Sequence, residues 1–497
     1  MLRRVIKVVL LFALRVFFRR VEVVGRSRVP REGACLFVLN HPNALVDPAF
    51  LLAYAPRRIS FLAKSPLFRM PVIGFFVRAL DSIPVYRKQD ETGDTAALNR
   101  KTFERAAALL RRGGTIAICP EGASHSEPYL LPLKSGAARI ALGAVSVGEG
   151  TTGGGGDGGT AGWGDGEMGK KGEGGNENLT PRHPVTPSPR LDLKIIPVGL
   201  YYTAKATFRS GALLYFGEPI SVEHAEPGPD GEPPREAVRA LSDRVAEGLR
   251  ALTLNADRHE ALAMVARAER IFSAADDEEE EGASLERELR RRRRFVEAYA
   301  YHRQHSPERV EVLERRVWAY EEELRQAGLE DPRQLSPSTV ADYARIRRLL
   351  ARVLVFLLLL PLALAGAALH YPAYKLAGVL ATRFARQYDD VLSTFKIAAA
   401  LLLFPLTWGA LAFVLYRVAG WWGVLAAFTF APAAGYVALR TREEFGRFAA
   451  GTRAALFFVR ERSFFRQLLE ERRAIRRELL ALGDEFERAN VSGEARG

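Results

Sequence analysis

The sequence NHPNALVDPAF, residues 40–50, places a histidine and an aspartate at the end of an apolar run. Pro42 disfavours a helical conformation at His41, so we expect a turn there, and Asp47 lies where a helix could begin. If the turn brings the two side chains together, the carboxylate would orient the imidazole and favour its protonated form. His41 is then a candidate general base. The alternative is that Asp47 caps the helix and His41 is an ordinary loop residue.

Other polar residues lie just after predicted strands or just before a predicted helix. Ligands bind at the carboxyl ends of strands in open α/β sheets. The planar guanidinium of Arg87 suits a phosphate group, although a surface salt bridge would explain an arginine at this position equally well. Lys134, near a predicted helix start, could also bind an anion. These candidate binding residues are Arg87, Glu121, Gly122, Ser124, His125 and Lys134.

The elements that must position these residues alternate between strand and helix. Seven short runs rich in β-branched and aromatic residues predict strands: VEVVG, ACLFVLN, RISFLA, SIPVY, GTIAICP, LKIIPVGLYY and ALLYFGEPI. Residues 90–114 and 135–147 predict helices, the first ended by Gly113 and Gly114 and the second started by Ser135. This alternation predicts an α/β fold for residues 21–230, with a sheet flanked by helices.

Two stretches beyond this pattern differ sharply in composition. Residues 148–190 are dense in Gly, Pro and Ser and almost lack large apolar side chains, so we expect a disordered Gly-rich insertion in the α/β domain. Residues 231–348 are strongly charged and predict a helical region of undetermined role.

The C-terminal part predicts an all-α region with membrane helices in residues 349–440. Uncharged segments at 353–369, 397–416 and 418–439 have lengths that suit a hydrocarbon core. The last two predict a tight helical hairpin, since only Arg417 separates them. A return of the first segment at Pro361 would keep its flanking basic residues on one side, so we expect an even number of crossings.

The two termini carry amphipathic, arginine-rich segments. Residues 1–20 predict an interfacial membrane helix, with an ordinary core helix as the alternative. Residues 441–497 predict an amphipathic helical tail at the lipid surface, with a soluble packing helix as the alternative.

Composition narrows the class of partner. The 497 residues carry a formal charge of +13, which suits nucleic acid, an anionic lipid surface or a phosphorylated substrate. The apolar segments favour lipid, and the absence of zinc-finger spacing or an aromatic RNA-binding signature argues against nucleic acid. The two cysteines, Cys35 and Cys119, lie in apolar strand-like runs and are interpreted as structural thiols in a reducing compartment.

Four blocks in order, NHPNALVDP, IPVYRKQ, CPEGASHSEP and IIPVGLYY, resemble those of the glycerolipid (PlsC-like) acyltransferase superfamily over residues 20–220. The PEGASH and LKSGAARIAL stretches are similar to the branch with glycerol-3-phosphate and dihydroxyacetone-phosphate acyltransferases. Five residues separate His41 from Asp47, where the wider family has four, and this longer spacing is similar to that branch. The family's threonine and arginine or serine after Glu-Gly are replaced by Ala-Ser-His, so His125 or Lys134 would have to supply the second phosphate contact.

The resemblance implies transfer of an acyl group from acyl-CoA or acyl carrier protein to the hydroxyl of glycerol 3-phosphate in phospholipid synthesis. His41 would remove the hydroxyl proton, Asp47 would hold the ring, and Arg87 would hold the phosphate. Glu121 and Gly122 would shape the site. The substrate oxygen is the nucleophile, which agrees with the lack of a G-x-S-x-G elbow. No metal or cofactor is expected beyond the acyl donor as co-substrate.

Other functions stay open at this point. The acceptor could be lysophosphatidic acid or another lysolipid, which the residues separate poorly from glycerol 3-phosphate. A lipid hydrolase, or a non-catalytic membrane lipid-binding or scaffold protein, would be functions of other classes. For the proposed enzyme we expect membrane localisation, with membrane lipids as partners and the catalytic domain on the cytoplasmic face.

Overall fold

The predicted strands form one mixed sheet in the computed structural model, which describes residues 1–87, 89–90, 93–146, 191–229, 231–274, 284–329, 332, 343–385 and 389–493. Side chains at 71–72, 343–352, 389–390 and 447–459 are not described. The predicted insertion at 148–190 lies outside the described residues. The strands are β1 (Arg20–Val24), β2 (Cys35–Leu39), β3 (Ser60–Lys64), β4 (Ile83–Val85), β5 (Thr115–Ile118), β6 (Lys194–Tyr202), β7 (Gly211–Phe216) and β8 (Ile220–Ser221).

The strand order explains how distant blocks of sequence meet. The order is β1-β7-β6-β2-β5-β3-β4, with β8 beside β6. Strand β2 runs parallel to both β5 and β6, and β3 runs parallel to β5 and β4. The carboxyl ends of β2, β4, β5 and β6 therefore lie along the same edge of the sheet, where the candidate residues follow them.

Helices cover both faces of the sheet, as the alternating pattern predicts. They are α1 (Leu2–Phe17), α2 (Val46–Tyr54), α3 (Pro66–Arg69), α4 (Pro71–Ala79), α5 (Thr95–Arg111), α6 (Gly136–Val145) and α7 (Arg235–Arg250). Helices α1 and α2 pack on one face with Phe37 and Leu39, and α5, α6 and α7 pack on the other with Leu36 and Val38. A domain boundary at residue 230 would cut α7 from the sheet that it covers, so the structure places α7 in the α/β domain.

A side-chain cap is present at the start of α5 but not at the start of α6. The side chain of Asp94 accepts hydrogen bonds from the backbone N–H groups of Ala96 and Ala97 and so caps α5. Ser135 precedes α6 as expected, but its hydroxyl makes no capping hydrogen bond.

The arginine-rich tail belongs to a second helical core. Helices α8 (His259–Ser273), α9 (Leu285–His305), α10 (Pro307–Gln326) and α14 (Arg462–Ser492) are mutual neighbours. Tyr320 of α10 and Leu468 of α14 are fully buried in their shared apolar cluster. Contact of the tail with the lipid surface stays a prediction, but the apolar face of α14 is covered by protein. The alternative, a soluble packing helix, describes it.

The hydrophobic region forms three long helices, α11 (Tyr343–Ala385), α12 (Asp389–Ala419) and α13 (Trp421–Arg460). The predicted hairpin is confirmed: α12 and α13 are joined at Gly420, which has a positive φ of 59°. Helix α11 continues through Pro361 and Pro372, so the chain does not leave the helix to turn back at Pro361. Three spans, Val353–Ala385, Val391–Ala419 and Trp421–Gly446, are long and apolar enough to cross a membrane, and the number of crossings stays a prediction.

The N-terminal helix α1 has two different faces. Leu14 and Phe17 are buried against the sheet, whereas Val5, Val8 and Phe12 are exposed. The expected interfacial helix and its alternative, a core helix, thus each describe one side of α1. Contact of the exposed side with lipid stays a prediction.

Candidate active site

The side chains of His41 and Asp47 meet at the end of β2. His41 Nδ1 lies 2.9 Å from Asp47 Oδ2. A turn between them, in which the N–H of Val46 donates to the carbonyl of Asn43 at 3.0 Å and Ala44 has a positive φ of 40°, returns the chain at the start of α2. The spacing of five residues therefore permits the contact.

The Asp47 carboxylate is fully buried and is held by three donors. Its Oδ2 atom also accepts a hydrogen bond from the backbone N–H of Asn43 at 2.7 Å. Its Oδ1 atom accepts one from the Tyr202 hydroxyl at 2.6 Å. The first turn of α2 adds the positive end of a helix dipole. The Asp47 side chain has no hydrogen bond to a residue that follows it in α2, so it contacts His41, Asn43 and Tyr202 and does not cap that helix.

The environment of His41 favours the charged imidazolium. Burial alone lowers the pKa of the ring, but the neighbouring Cys119 sulfur and the Asp47 carboxylate outweigh burial, and the net pKa is raised well above its usual value. An imidazole with a raised pKa holds a transferred proton well, as a general base must after it has taken one.

Glu121 ties together the loops that follow β2 and β5. Its side chain is fully buried. Oε1 accepts from the backbone N–H of His41 at 3.0 Å, and Oε2 accepts from the N–H of Leu131 at 2.9 Å. Glu121 thus fixes the position of the His41 backbone relative to that of Leu131.

His125 lies in the same loop, next to Glu121. Its Nε2 atom is 2.5 Å from Glu121 Oε2, its Nδ1 accepts from the N–H of Glu127 at 3.2 Å, and its N–H donates to the carbonyl of His41 at 3.2 Å. Both ring nitrogens are engaged within the loop, so a phosphate contact through His125 would require one of them to change partner. Ser124, which lies between Glu121 and His125 in the sequence, is half-buried.

Arg87 connects the second block to the third. Its Nη1 atom donates to the carbonyl of Gly122 at 3.3 Å, and its Nε donates to Asp90 at 2.5 Å. The Arg87 hydrogen bond lowers the pKa of the Asp90 carboxyl. The salt bridge considered from the sequence is therefore present, and it holds Arg87 beside the Glu121–Gly122 turn.

Lys134 lies over Gly122. A Cβ atom at Gly122, whose φ is 76°, would be 2.4 Å from Lys134 Nζ. The absence of a side chain at this position gives the lysine its place beside the turn. Arg87 and Lys134 thus bring two cations to one glycine.

A cleft of about 170 Å³ opens beside His41. His41, Glu121 and His125 line it, together with apolar side chains such as Tyr129 and Leu262. Arg87, Gly122 and Lys134 are not among the lining residues, so the structure gathers the candidates into two neighbouring groups joined by the Glu121–Gly122 turn.

Sequence reasoning missed three residues of this site. Tyr202 contacts Asp47, Cys119 lies beside His41, and Lys205 lines the cleft, donating to the Pro42 carbonyl at 3.0 Å and to Ser126 Oγ at 2.7 Å. Tyr202 ends the fourth block, IIPVGLYY, so its position at a strand end was a usable signal. Both cysteines are free, and burial raises the pKa of the Cys35 thiol to about 12, which agrees with a structural role for Cys35 alone.

Two family models match the chain. The acyltransferase model matches residues 20–152, and the glycerol-3-phosphate acyltransferase 2 C-terminal domain matches residues 277–487. The chain is thus similar to acyltransferases over most of its α/β domain and to a glycerol-3-phosphate acyltransferase C-terminal domain over most of its helical part. The acyltransferase match contains His41, Asp47, Arg87, Glu121 and Lys134. The second match covers α9 to α13 and most of α14, but not α8.

Individual relatives are similar to this chain over part of their length. Glycerol-3-phosphate O-acyltransferase 1 of Saccharomyces cerevisiae is 24% identical over 78% of this chain and 58% of its own length. Glycerol-3-phosphate O-acyltransferase 2 of the same yeast is 26% identical over 64% of this chain and 39% of its own length. The chain therefore spans between two fifths and three fifths of these relatives. The 1-acyl-sn-glycerophosphate acyltransferase PlsC of Thermotoga maritima, a solved structure, aligns at 18% identity and a TM-score of 0.31 over 50% of this chain and 79% of that one.

Proposed function

We propose that this protein is a membrane-bound O-acyltransferase that moves a fatty acyl group from a thioester to the hydroxyl of glycerol 3-phosphate. The observation that carries the proposal is the 2.9 Å contact between His41 Nδ1 and the buried Asp47 carboxylate, beside a cleft that His41 lines. With Nδ1–H directed to Asp47, the lone pair of a neutral ring is on Nε2. This is the atom that would accept a proton from a substrate hydroxyl.

In the proposed step, the acceptor oxygen attacks the thioester carbonyl while Nε2 of His41 takes its proton. The carbon–oxygen bond of the ester forms, the carbon–sulfur bond breaks, and the proton on His41 is available to the departing thiolate. Asp47 keeps the ring oriented and stabilises the imidazolium. Because the acceptor is the nucleophile, no acyl-enzyme is required.

The phosphate of the acceptor would bind near the Glu121–Gly122 turn. Arg87 and Lys134 supply two positive charges there, and Arg87 can offer a planar pair of donors. The salt bridge to Asp90 holds Arg87 through Nε, and a phosphate would compete with the Gly122 carbonyl for Nη1. Holding the phosphate fixes the distance from the acceptor hydroxyl to His41, which contributes to the rate.

Glycerol 3-phosphate is the acceptor that the comparisons favour, because both yeast relatives carry it in their names. Lysophosphatidic acid is the second candidate, supported by a shorter match to a chloroplast 1-acyl-sn-glycerol-3-phosphate acyltransferase of Brassica napus, 26% identical over 25% of this chain. We further propose that the catalytic domain lies on the cytoplasmic side of the membrane, where acyl-CoA and acyl carrier protein are found.

The test uses the full-length protein in membranes, with labelled acyl-CoA or acyl carrier protein as donor and glycerol 3-phosphate or lysophosphatidic acid as acceptor. The wild-type product identifies donor and acceptor together. His41→Ala is expected to lower turnover by about 10²–10⁴-fold, the usual contribution of a general base, while the protein stays folded. Near-normal turnover in that variant would remove His41 as the base. Release of free fatty acid without an acceptor would instead favour a hydrolase.

A further inference from the structure

Tyr202 contacts the Asp47 carboxylate through the oxygen that does not face His41. The Tyr202 hydroxyl donates to Oδ1 at 2.6 Å, while Oδ2 accepts from Asn43 N–H and faces His41 Nδ1. Each carboxylate oxygen is thus held by a different part of the chain. Rotation of the carboxylate about the Cβ–Cγ bond would break contacts on both sides.

The phenol ring of Tyr202 is itself fixed. Tyr202 is the last residue of β6 and pairs with Ala212 of β7. Its ring packs against Phe18, with centroids 5.5 Å apart, and against Phe50, with centroids 5.9 Å apart. The sheet and these two rings hold the hydroxyl in place, so the hydroxyl can hold the carboxylate.

The hydroxyl also keeps its proton. Burial raises the pKa of Tyr202 well above its usual value, and the negative charge of Asp47 raises it further. Over the pH range in which a histidine base would titrate, Tyr202 is therefore a donor to Asp47 and carries no charge of its own.

From this geometry we propose that Tyr202 is a positioning residue, which holds the Asp47 carboxylate so that its second oxygen stays in line with His41 Nδ1. The inference rests on the proposed function, since it assigns Tyr202 a part in acyl transfer through the His41–Asp47 pair. Tyr202 itself need not touch the substrate for this role.

The preceding residue provides a matched control. The hydroxyl of Tyr201 donates to Glu288 of α9 at 2.9 Å, and burial raises the pKa of this phenol as well. Because successive side chains of a strand point to opposite faces, Tyr201 lies on the other side of the sheet from Asp47. Tyr201→Phe and Tyr202→Phe each remove one phenol–carboxylate hydrogen bond from the same strand. Only the hydrogen bond lost in Tyr202→Phe involves the His41–Asp47 pair.

Several titratable groups surround the His41 ring and would contribute to any pH profile. They are Asp47 from α2, Cys119, Glu121 and His125 from the segment after β5, and Tyr202 and Lys205 from the end of β6 and its loop. Only the Tyr202 hydroxyl is removed by Tyr202→Phe, so a change in the profile relative to Tyr201→Phe reports this one contact.

The experiment measures turnover against pH for both variants, full-length and in membranes, at saturating donor and acceptor. Loss of a charge-assisted hydrogen bond costs about 1.5–3 kcal/mol, which corresponds to a loss of about 10-fold to 160-fold in kcat. Without the Tyr202 donor, the carboxylate charge acts more strongly on His41⁺. The pKa of His41 therefore rises, and the acid limb of the kcat profile moves to higher pH in Tyr202→Phe. Tyr201 also lines the cleft, so Tyr201→Phe can change KM, but its hydroxyl is bonded to Glu288 and the pH profile of kcat should stay that of wild type.

A second variant covers the case in which Tyr202→Phe fails to fold. Site-specific Tyr202→3-fluorotyrosine keeps the ring and the donor but makes the phenol more acidic, so its hydrogen bond to Asp47 is stronger. The acid limb should then move to lower pH, opposite to Tyr202→Phe. A fluorotyrosine profile equal to that of wild type, or a Tyr202→Phe profile equal to that of Tyr201→Phe, overturns the inference. These results are distinct from full activity in His41→Ala, which would overturn the proposed function.

Discussion

Arg209 of the catalytic domain and Glu443 of the apolar helix α13 form an ion pair in which Nε lies 2.5 Å from Oε1. Both side chains are largely buried, with exposures of 16% and 12%. Arg209 lies in the loop after β6, and Lys396 of α12 donates to the carbonyl of Ala206 in the same loop at 2.7 Å. The C-terminal helices therefore hold the segment that begins directly after Tyr202.

We predict that Glu443→Gln weakens the attachment of this loop. Removing one partner of a largely buried pair leaves the arginine charge poorly compensated and costs about 3 kcal/mol. We expect a lower thermal midpoint in detergent and reduced acyl transfer. Glu322→Gln is the control, because Glu322 pairs with Arg325 on the exposed surface of α10, where such pairs contribute about 0–1 kcal/mol. Equal effects of the two substitutions would contradict a specific role for Glu443.

The raised pKa of His41 predicts a particular pH dependence. The base must be neutral to accept a proton, and the neutral fraction increases as pH rises through the pKa. Since the pKa of His41 lies above the ordinary 6.5, kcat should fall on the acid side at a pH above 6.5. Asp47→Asn removes the negative charge, so the acid limb should move to lower pH while the maximal rate falls by up to about 10⁴-fold. A limb that Asp47→Asn leaves in place would argue against the pair.

Gly122 offers a test of Lys134. In Gly122→Ala the new Cβ would displace the Lys134 ammonium, so we expect a weaker apparent affinity for the phosphate acceptor. Gly113→Ala is the control, because Gly113 has a similar φ of 73° but open space around its Cβ position. Both variants should lose about 1–2 kcal/mol of stability from the left-handed backbone, measured by thermal unfolding. If acceptor KM rises equally in both, displacement of Lys134 is not the cause.

Arg87→Ala should raise KM for the acceptor by about tenfold or more, the effect of losing one hydrogen bond to a charged group. The KM for the acyl donor should change little, which separates phosphate binding from a general loss of structure. Asp90→Asn removes the carboxylate that holds Arg87 through Nε and should raise acceptor KM less than Arg87→Ala does. A parallel rise in both KM values for Arg87→Ala would indicate that the salt bridge is structural only.

Much of the α/β domain could be predicted from the sequence, because the features concerned are local. Apolar runs bounded by Gly, Pro and Asn predict β1 to β7, whereas the two-residue strand β8 is not predicted as a strand of its own. The hairpin at Gly420 follows from two uncharged segments separated by Arg417. The packing of the tail could not be predicted in this way, because its amphipathic pattern is the same whether the apolar face contacts lipid or protein. The burial of Leu468 against α8, α9 and α10 decided between them.

The candidate site shows the same division. The residue types and their places at strand ends made His41, Asp47, Arg87 and Glu121 candidates, but a helix cap or a surface salt bridge stayed open as alternatives until the resemblance to acyltransferases was considered. The tertiary structure alone decided that a turn at Asn43 closes the His41–Asp47 contact and that Tyr202, 155 residues away, holds the same carboxylate. The reason is physical: local sequence sets turns, caps and strand propensity, whereas contacts between distant segments depend on the order in which β6, β2 and β5 pair in the sheet.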